Sequence, residues 1–193
     1  MGKKHLVLAS GSPRRKELLS QLGYEFSVFV TDVEECKHAQ ETAEEYVKRL
    51  SLDKALAALS LLQVNASEEQ HVVLGSDTVV VSQGQVLEKP TDFSDSKRML
   101  TQLANERHQV MTAVSVVSED KQKTEIIITD VWFKPLSEKE IEQYWQTGEP
   151  CDKAGSYGIQ GLGGRFVTRI EGSYYAVVGL PLFETDQLLQ EFL

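Results

Sequence analysis

The 193-residue chain has little cysteine and no long apolar stretch. Cys36 and Cys151 are its only cysteines, which is too few for a disulfide framework. No apolar run approaches the ~18 residues that a membrane-spanning helix needs. The N-terminal MGKKHLVLASGSP breaks into Gly, Ser and Pro after a short apolar run, which favours a strand over a signal peptide. The sequence therefore predicts a protein of the reducing cytoplasm.

Basic charge is also scarce. The chain has 20 Lys and Arg against 29 Asp and Glu, a net charge of -9, which argues against a broad nucleic-acid-binding face but leaves room for a small basic pocket. His5, His38, His71 and His108 lack metal-site spacing. No Ser-His or Cys-His pattern of a nucleophilic enzyme stands out.

Hydrophobic patterning predicts one bilobed domain over residues 1–193, of mixed α/β class, in which helices flank a mixed sheet containing antiparallel strands. The first strand precedes a helix over 13–22, and Thr42 and Glu45 have capping-box spacing at the start of a helix over 41–62. Further strands and helices follow at 71–81 (with a hairpin partner at 86–90), 95–104, 108–118 and 123–133. Ser137 and Glu140 have the spacing of a second capping box at the start of a helix, and a closing helix starts at Pro181. The stretch 164–179 predicts a hairpin that turns at Glu171-Gly172.

The predicted helix over 13–22 begins with an unusual number of basic residues. A helix N-terminus carries partial positive charge, so Arg14, Arg15 and Lys16 are unfavourable there unless something negative sits against them. Ser12 is suited to cap the helix, and free N–H groups, hydroxyls and guanidiniums would then converge on a phosphate. The alternative is an exposed basic end whose side chains bend into solvent. The stretch is not a Walker A loop.

Carboxylates and lysines supply the remaining charge. Asp77 interrupts a strand that is apolar enough to be buried. A buried carboxylate needs a partner, a metal or a proton. The alternative is a kink in the strand at which the Asp77 side chain faces water. Lys89 follows the hairpin turn and is expected near that strand, whereas Lys54 fits a solvated helix face. Glu34 and Glu35 follow an apparent strand and could hold Mg²⁺ with phosphate oxygens, or lie in a solvated loop.

The Gly-rich stretch GSYGIQGLGG does not match a dinucleotide-binding fingerprint, because a strand rather than a helix is predicted after it. Its glycines indicate either close approach of the backbone to a ligand or simple turns. Gln160 stands between small residues. Its amide offers a donor and an acceptor, which suits the edge of a nucleobase, although an ordinary loop amide fits equally well.

Taken together, LASGSPRR, DVEE, LDKA, GSDTVV, LEKP and DKAGSYGIQGLGG resemble, in order and context, the Maf family of nucleotide pyrophosphatases. The resemblance covers essentially the whole chain and is closest to the branch that hydrolyses dTTP and UTP. It implies a fold like that of the inosine-triphosphate pyrophosphatases, with a deep cleft between two lobes. It also implies a divalent cation, Mg²⁺ or Mn²⁺, a cytoplasmic homodimer, and cleavage of a nucleoside triphosphate to monophosphate and pyrophosphate.

The resemblance also assigns roles by position. Asp77 matches the proton acceptor, although it could instead mainly hold the metal, and Glu34 is the expected second carboxylate, as base partner or metal ligand. Lys54 and Lys89 join them as catalytic residues of the cleft. Base preference and substrate binding fall to a second set, which comprises Arg14, Thr78, Gln160, Ser10 and Arg15.

Two alternatives accompany this assignment. A sibling branch that prefers 7-methyl-GTP carries an aromatic at the position of Arg14, Gln at Thr78 and Glu at Gln160, and this chain has none of the three. The other alternative is a nucleotide-sensing regulator of cell division that binds nucleotides without turnover.

Acceptance of both dTTP and UTP implies that the site tolerates changes at the thymine methyl and at the 2′-hydroxyl. This tolerance predicts cleavage of modified pyrimidine nucleotides too. Ser76 departs from the alanine common in the dTTP/UTP branch.

Overall fold

The computed structural model describes residues 4–64 and 70–193. Within these residues the strands are β1 Lys4–Leu8, β2 Phe26–Val28, β3 Gln70–Ser82, β4 Gln85–Leu87, β5 Arg107–Val117, β6 Gln122–Phe133 and β7 Val167–Glu171. The helices are α1 Pro13–Gln21, α2 Ala43–Val64, α3 Phe93–Leu103, α4 Glu138–Gln146, α5 Tyr174–Val178 and α6 Leu182–Phe192, and short 3₁₀ turns cover Glu149–Asp152, Ala154–Ser156 and Leu162–Phe166.

The strands form one sheet in the order β2-β1-β3-β5-β6-β7, and β4 pairs with β3. β1 runs parallel to β2 and β3, whereas β4 is antiparallel to β3 and β7 is antiparallel to β6. The predicted mixed α/β class, with a mixed sheet flanked by helices, is confirmed. None of the helices within the described ranges has the length and apolar character to cross a membrane.

The chain divides into two compact units. The first unit comprises the described residues up to Asp77, together with Thr112–Ile127 and Gly179–Leu193. The second unit comprises Thr78–Met111 and Ile128–Val178.

In the first unit, β1 and β3 pack against α2. Val7, Val73 and Ala55 are fully buried in this core, which also contains Ala58. The predicted capping box starts α2 as expected: Thr42 Oγ1 accepts from the Glu45 N–H at 3.2 Å, and the Glu45 carboxylate accepts from the Thr42 N–H at 2.8 Å. The predicted helix after the first strand is also confirmed as α1, and Gly23 follows it with φ +80°.

In the second unit, aromatic side chains form the centre of the core. Phe133 lies edge-on to Tyr157 at 4.7 Å and to His108 at 4.9 Å between ring centroids, and Tyr144 lies edge-on to Phe166 at 5.0 Å. The second predicted capping box, Ser137 with Glu140, is present at the start of α4. Edge-to-face ring pairs of this kind stabilise a core beyond their buried area.

The predicted hairpin over 164–179 is wrong. β7 ends at Glu171 and pairs with β6, and the chain then turns through Gly172, at φ +134°, into α5. Ser173 Oγ accepts from the Ala176 N–H at 3.1 Å and so caps the new helix. The β-branched and aromatic residues after Gly172 favour a strand by propensity, but capping and burial of Ala176 and Val178 select a helix.

We predict that His108 makes stability depend on pH. His108 is buried, its Nε2 lies 2.7 Å from Tyr157 Oη, and its Nδ1 has no hydrogen-bond partner. Burial lowers the pKa of His108 to about 4, although Asp130 acts in the opposite direction. The unfolded chain therefore binds the extra proton below pH ~6.5 while the folded chain stays neutral until about pH 4, so stability falls as pH falls through this window.

Denaturant unfolding at pH 7.0 and 5.5 measures this contribution. The wild-type free energy of unfolding should lose about 1 kcal/mol from this histidine over that interval. His108→Gln, which cannot titrate, should lack that component of the pH dependence, whereas His38→Gln, at an exposed position, should retain it. An unchanged pH dependence in His108→Gln would contradict the prediction.

Candidate active site

The first unit contains a lysine shared between two carboxylates. Lys54 Nζ lies 2.7 Å from Asp77 Oδ1 and 2.7 Å from Glu35 Oε1. The side chains of Lys54 and Asp77 are only 13% and 11% exposed, whereas that of Glu35 is 45% exposed. Lys54 therefore compensates the buried charge of Asp77, and the interpretation of Lys54 as a solvated helix-face residue is wrong.

Gly75 brings the two elements of this pair together. A Cβ on Gly75 would lie 2.3 Å from the Ser51 carbonyl oxygen and 2.9 Å from the Ala55 nitrogen, both in α2. Only glycine lets β3 approach the helix backbone this closely. Lys54 lies on the same turn of α2 as Ser51 and Ala55, and Asp77 follows Gly75 by two residues. The close contact therefore sets the distance that the Lys54–Asp77 pair spans.

Arg15 lies beside this pair. Its Nε donates to the Gly179 carbonyl oxygen at 2.8 Å, and Ser76 Oγ lies 3.2 Å from the same oxygen and 2.9 Å from the Ala113 carbonyl oxygen. Burial lowers the pKa of Arg15, and Arg14 adds to this effect, while the carboxylates of Asp77 and Glu35 oppose it. Arg15 thus belongs to one electrostatic cluster with Arg14, Asp77 and Glu35.

The start of α1 supplies polar groups to the same unit. Ser12 Oγ caps the helix by accepting from the Arg15 N–H at 3.4 Å, which confirms the predicted cap, and Ser10 Oγ accepts from the Ser12 N–H at 3.2 Å. Ser10 is buried and Arg14 is half-buried. Two arginines and the positive end of a helix dipole therefore lie together, an arrangement that favours an anion.

Three predicted site residues lie in the second unit. Thr78 directly follows Asp77 in β3, and Lys89 is exposed just after β4. The carbonyl of Glu88, next to Lys89, accepts from the Gly155 N–H at 3.2 Å, so this turn contacts the Gly-rich segment. Gln160 is exposed in that segment, between the 3₁₀ turns Ala154–Ser156 and Leu162–Phe166.

The glycines around Gln160 face protein rather than open space. A Cβ on Gly155 would lie 2.8 Å from Val80, one on Gly161 would lie 2.3 Å from a Glu149 carboxylate oxygen, and one on Gly163 would lie 2.6 Å from Tyr144 Oη. Close approach of the backbone to other groups of this protein therefore explains these three glycines. Gly155 in addition adopts φ +69°, a backbone conformation that favours glycine.

Glu35 is the member of the predicted Glu34-Glu35 pair that contacts Lys54. The prediction selected Glu34 as the second carboxylate, but the carboxylate that contacts Lys54 belongs to Glu35, while Glu34 lies exposed beside it. The segment between β2 and α2 has no regular periodicity. The sequence of this segment could therefore predict the two neighbouring carboxylates but not which of them contacts Lys54. The role assigned to Glu34 stays a prediction.

The donor set of this cluster limits how a metal could bind. Across residues 4–64 and 70–193, no group of three His, Cys, Asp or Glu side chains could hold a metal ion. Asp77 and Glu35 provide two carboxylates around Lys54. Mg²⁺ commonly binds through one or two carboxylates together with substrate phosphates and water. The residues therefore fit a cation that arrives with a phosphate ligand, and they do not form a cage made of protein ligands alone.

Comparison with known proteins identifies the class to which this fold and cluster belong. The chain is a member of the Maf-like protein family, whose model matches residues 5–192. It is 71% identical over 188 residues to a dTTP/UTP pyrophosphatase of Vibrio parahaemolyticus serotype O3:K6, with 97% of each chain covered.

Two further relatives carry the same name. The chain is 60% identical over 196 residues to a dTTP/UTP pyrophosphatase of Photobacterium profundum, covering 100% of this chain and 99% of the relative. It is 49% identical over 191 residues to one from Hahella chejuensis, covering 99% and 94%. Among solved structures, the Staphylococcus aureus Ham1 protein superposes with a TM-score of 0.43 at 18% identity, over 68% of this chain and 72% of that one, which is too distant to bear on function.

We predict that Lys54→Met destabilises the protein. The substitution keeps the length of the side chain but leaves Asp77 buried without the ammonium 2.7 Å away. Loss of one partner of a buried ion pair costs ~3–5 kcal/mol. We expect a smaller cost of about 2 kcal/mol here, because Glu35, the second carboxylate that Lys54 contacts, is half exposed and water can solvate it. Lys48→Met, at an exposed position of the same helix, should change the free energy of unfolding by less than about 0.5 kcal/mol. Equal effects of the two substitutions in denaturant unfolding would refute this.

Proposed function

We propose that this protein hydrolyses dTTP and UTP to the nucleoside monophosphate and pyrophosphate. The observation that carries the proposal is the buried Asp77, held by Lys54 and lying in one electrostatic cluster with Arg14 and Arg15. This is a carboxylate paired with an ammonium beside groups that bind phosphate. Relatives at 60–71% identity that are dTTP/UTP pyrophosphatases support the substrate and the bond.

Charge explains why the cations are concentrated. The chain carries a net charge of -9, and a nucleoside triphosphate adds several negative charges. Arg14, Arg15 and the N-terminus of α1 offer positive charge in one place, and Lys89 supplies a further ammonium in the second unit. Because Arg15 is fixed by the Gly179 carbonyl, little reorganisation is needed when charge develops on the reacting phosphate.

In the proposed mechanism Asp77 accepts a proton from water as the water oxygen bonds to the α-phosphorus. The bond between the α-phosphorus and the bridging oxygen breaks, and its electron pair leaves with pyrophosphate. Lys54 orients Asp77 by donating to its Oδ1 at 2.7 Å. Arg14 and Arg15 bind the phosphates, and Ser10 supports the turn before α1 through the Ser12 N–H. Lys89 keeps the catalytic role that the resemblance assigns to it.

A divalent cation, Mg²⁺ or Mn²⁺, is part of the proposal. Asp77 and Glu35 would hold it, with Glu34 adjacent, and the cation would neutralise negative charge on the phosphates. Because Lys54 contacts both carboxylates, it keeps their charges compensated before substrate binds. We place Glu35 ahead of Glu34 as the second carboxylate because only Glu35 contacts Lys54.

Base preference is assigned to Gln160, with Thr78 and Arg14. Uracil and thymine present a carbonyl acceptor and an N–H donor on one edge, and the Gln160 amide complements both. A base that mismatches leaves polar groups unpaired at a cost of about 1–3 kcal/mol each. One domain over residues 1–193 and a cytoplasmic location stay predictions from the sequence, and a homodimeric state stays a prediction from the resemblance.

A nucleotide panel tests the reaction. Incubation with the eight common nucleoside triphosphates, 5-methyl-UTP and 7-methyl-GTP in the presence of Mg²⁺ should release pyrophosphate and monophosphate from dTTP, UTP and 5-methyl-UTP. Chelation of the cation should abolish release. Orthophosphate with the diphosphate as product would overturn the proposed bond, and preferred cleavage of 7-methyl-GTP would overturn the proposed base.

Asp77→Asn separates an enzyme from a nucleotide sensor. The amide keeps the shape of the side chain but is a poor proton acceptor, so turnover of UTP should fall at least about 100-fold. Nucleotide binding, measured by calorimetry, should persist. Asp120→Asn, at an exposed turn of the same unit, should leave turnover unchanged. Undiminished turnover in Asp77→Asn would remove Asp77 from the mechanism.

A further inference from the structure

The Gly-rich segment around Gln160 is held by one carboxylate, that of Glu149. Glu149 Oε2 accepts from the Leu162 N–H at 2.8 Å, and Oε1 accepts from the Gly163 N–H at 3.0 Å. Oε1 also accepts from Tyr144 Oη at 2.7 Å. A single side chain thus binds two backbone amides that follow Gln160 by two and three residues.

Tyr144 extends this hold to the other side of Gln160. Its hydroxyl donates to Glu149 and accepts from the Gly158 N–H at 3.1 Å. Tyr144 is fully buried and its ring packs edge-on against Phe166, so the hydroxyl is a fixed point. Glu149 and Tyr144, which we call the loop clamp, therefore hold the backbone at Gly158 and at Leu162-Gly163, with Gln160 between the two attachments.

The glycines show that the clamp requires close contact. The Glu149 carboxylate lies under Gly161, where a Cβ would come within 2.3 Å of Oε2, and Tyr144 Oη would be 2.6 Å from a Cβ on Gly163. Burial alone would raise the pKa of Glu149, but the hydrogen bonds from Gly163, Tyr144 and Leu162 lower it overall. The carboxylate is thus ionised at neutral pH, and its hydrogen bonds are charge-assisted.

We propose that Glu149, acting with Tyr144, is a positioning residue that fixes the segment 158–163 and thereby determines how strictly Gln160 discriminates between pyrimidine bases. This rests on the proposed function, in which Gln160 contacts the base. An exposed amide on a mobile loop can rotate or shift to suit either a carbonyl or an amino group. A backbone fixed on both sides presents the amide in one orientation, so a base with the wrong donor pattern leaves it unpaired.

The test compares UTP with CTP, which differ at the base edge in a carbonyl against an amino group. Glu149→Gln keeps the shape but replaces one acceptor oxygen with a donor that cannot accept from a backbone N–H. We expect the ratio of kcat/KM for UTP to that for CTP to fall about tenfold. Tyr144→Phe removes only the hydroxyl and keeps the ring packing, so the ratio should fall in the same direction. Glu142→Gln, at an exposed position of α4, should leave the ratio within about twofold of wild type.

Amide hydrogen exchange of residues 158–163, followed by mass spectrometry, supplies a readout that needs no substrate. Exchange should be faster in Glu149→Gln and Tyr144→Phe than in wild type or Glu142→Gln. An unchanged UTP/CTP ratio, or an equal loss of kcat/KM on both nucleotides, would overturn the positioning role even if exchange quickened. If the wild type cleaves no pyrimidine triphosphate, the proposed function itself fails and the specificity role fails with it, while exchange still decides whether the clamp holds the loop.

Discussion

The ion pair between Lys54 and Asp77 is the constraint on which the first unit depends. Its two charged atoms are 2.7 Å apart and largely removed from solvent, so either charge alone would be costly. The pair exists because Gly75 lets β3 touch the backbone of α2, and Arg15 adds a cation fixed through Gly179. The same contact therefore packs β3 against α2 and places a cation next to the carboxylate of Asp77.

The second unit uses glycine for the same physical purpose. Gly155, Gly161 and Gly163 lie against Val80, Glu149 and Tyr144 at distances that exclude a side chain. Glycine costs conformational entropy, and that cost is offset by hydrogen bonds to a carboxylate and a buried hydroxyl. In both units, glycine, which has no side chain, allows polar groups to lie close to the backbone.

Local signals in the sequence predicted much of this fold and part of the site. The capping boxes at Thr42 and Ser137 depend only on residues three apart, so helix starts were predicted correctly. The stretch after Gly172 failed because its propensity favours a strand while its cap and burial favour a helix. Likewise, the choice between Glu34 and Glu35, and the burial of Lys54, depend on which side of a segment faces the core. Long-range packing decides that, and no local pattern records it.

The carbonyl of Gly179 connects the C-terminal part of the chain to the candidate active site. Gly179 adopts φ +134°, which side chains other than hydrogen rarely tolerate, and its oxygen anchors Arg15 while Ser76 lies 3.2 Å away. It also leads directly into α6, whose Leu188, Leu189 and Phe192 are buried. Deleting α6 would therefore remove the buried helix that follows this carbonyl, and with it support for a guanidinium that lies 164 residues earlier in the sequence.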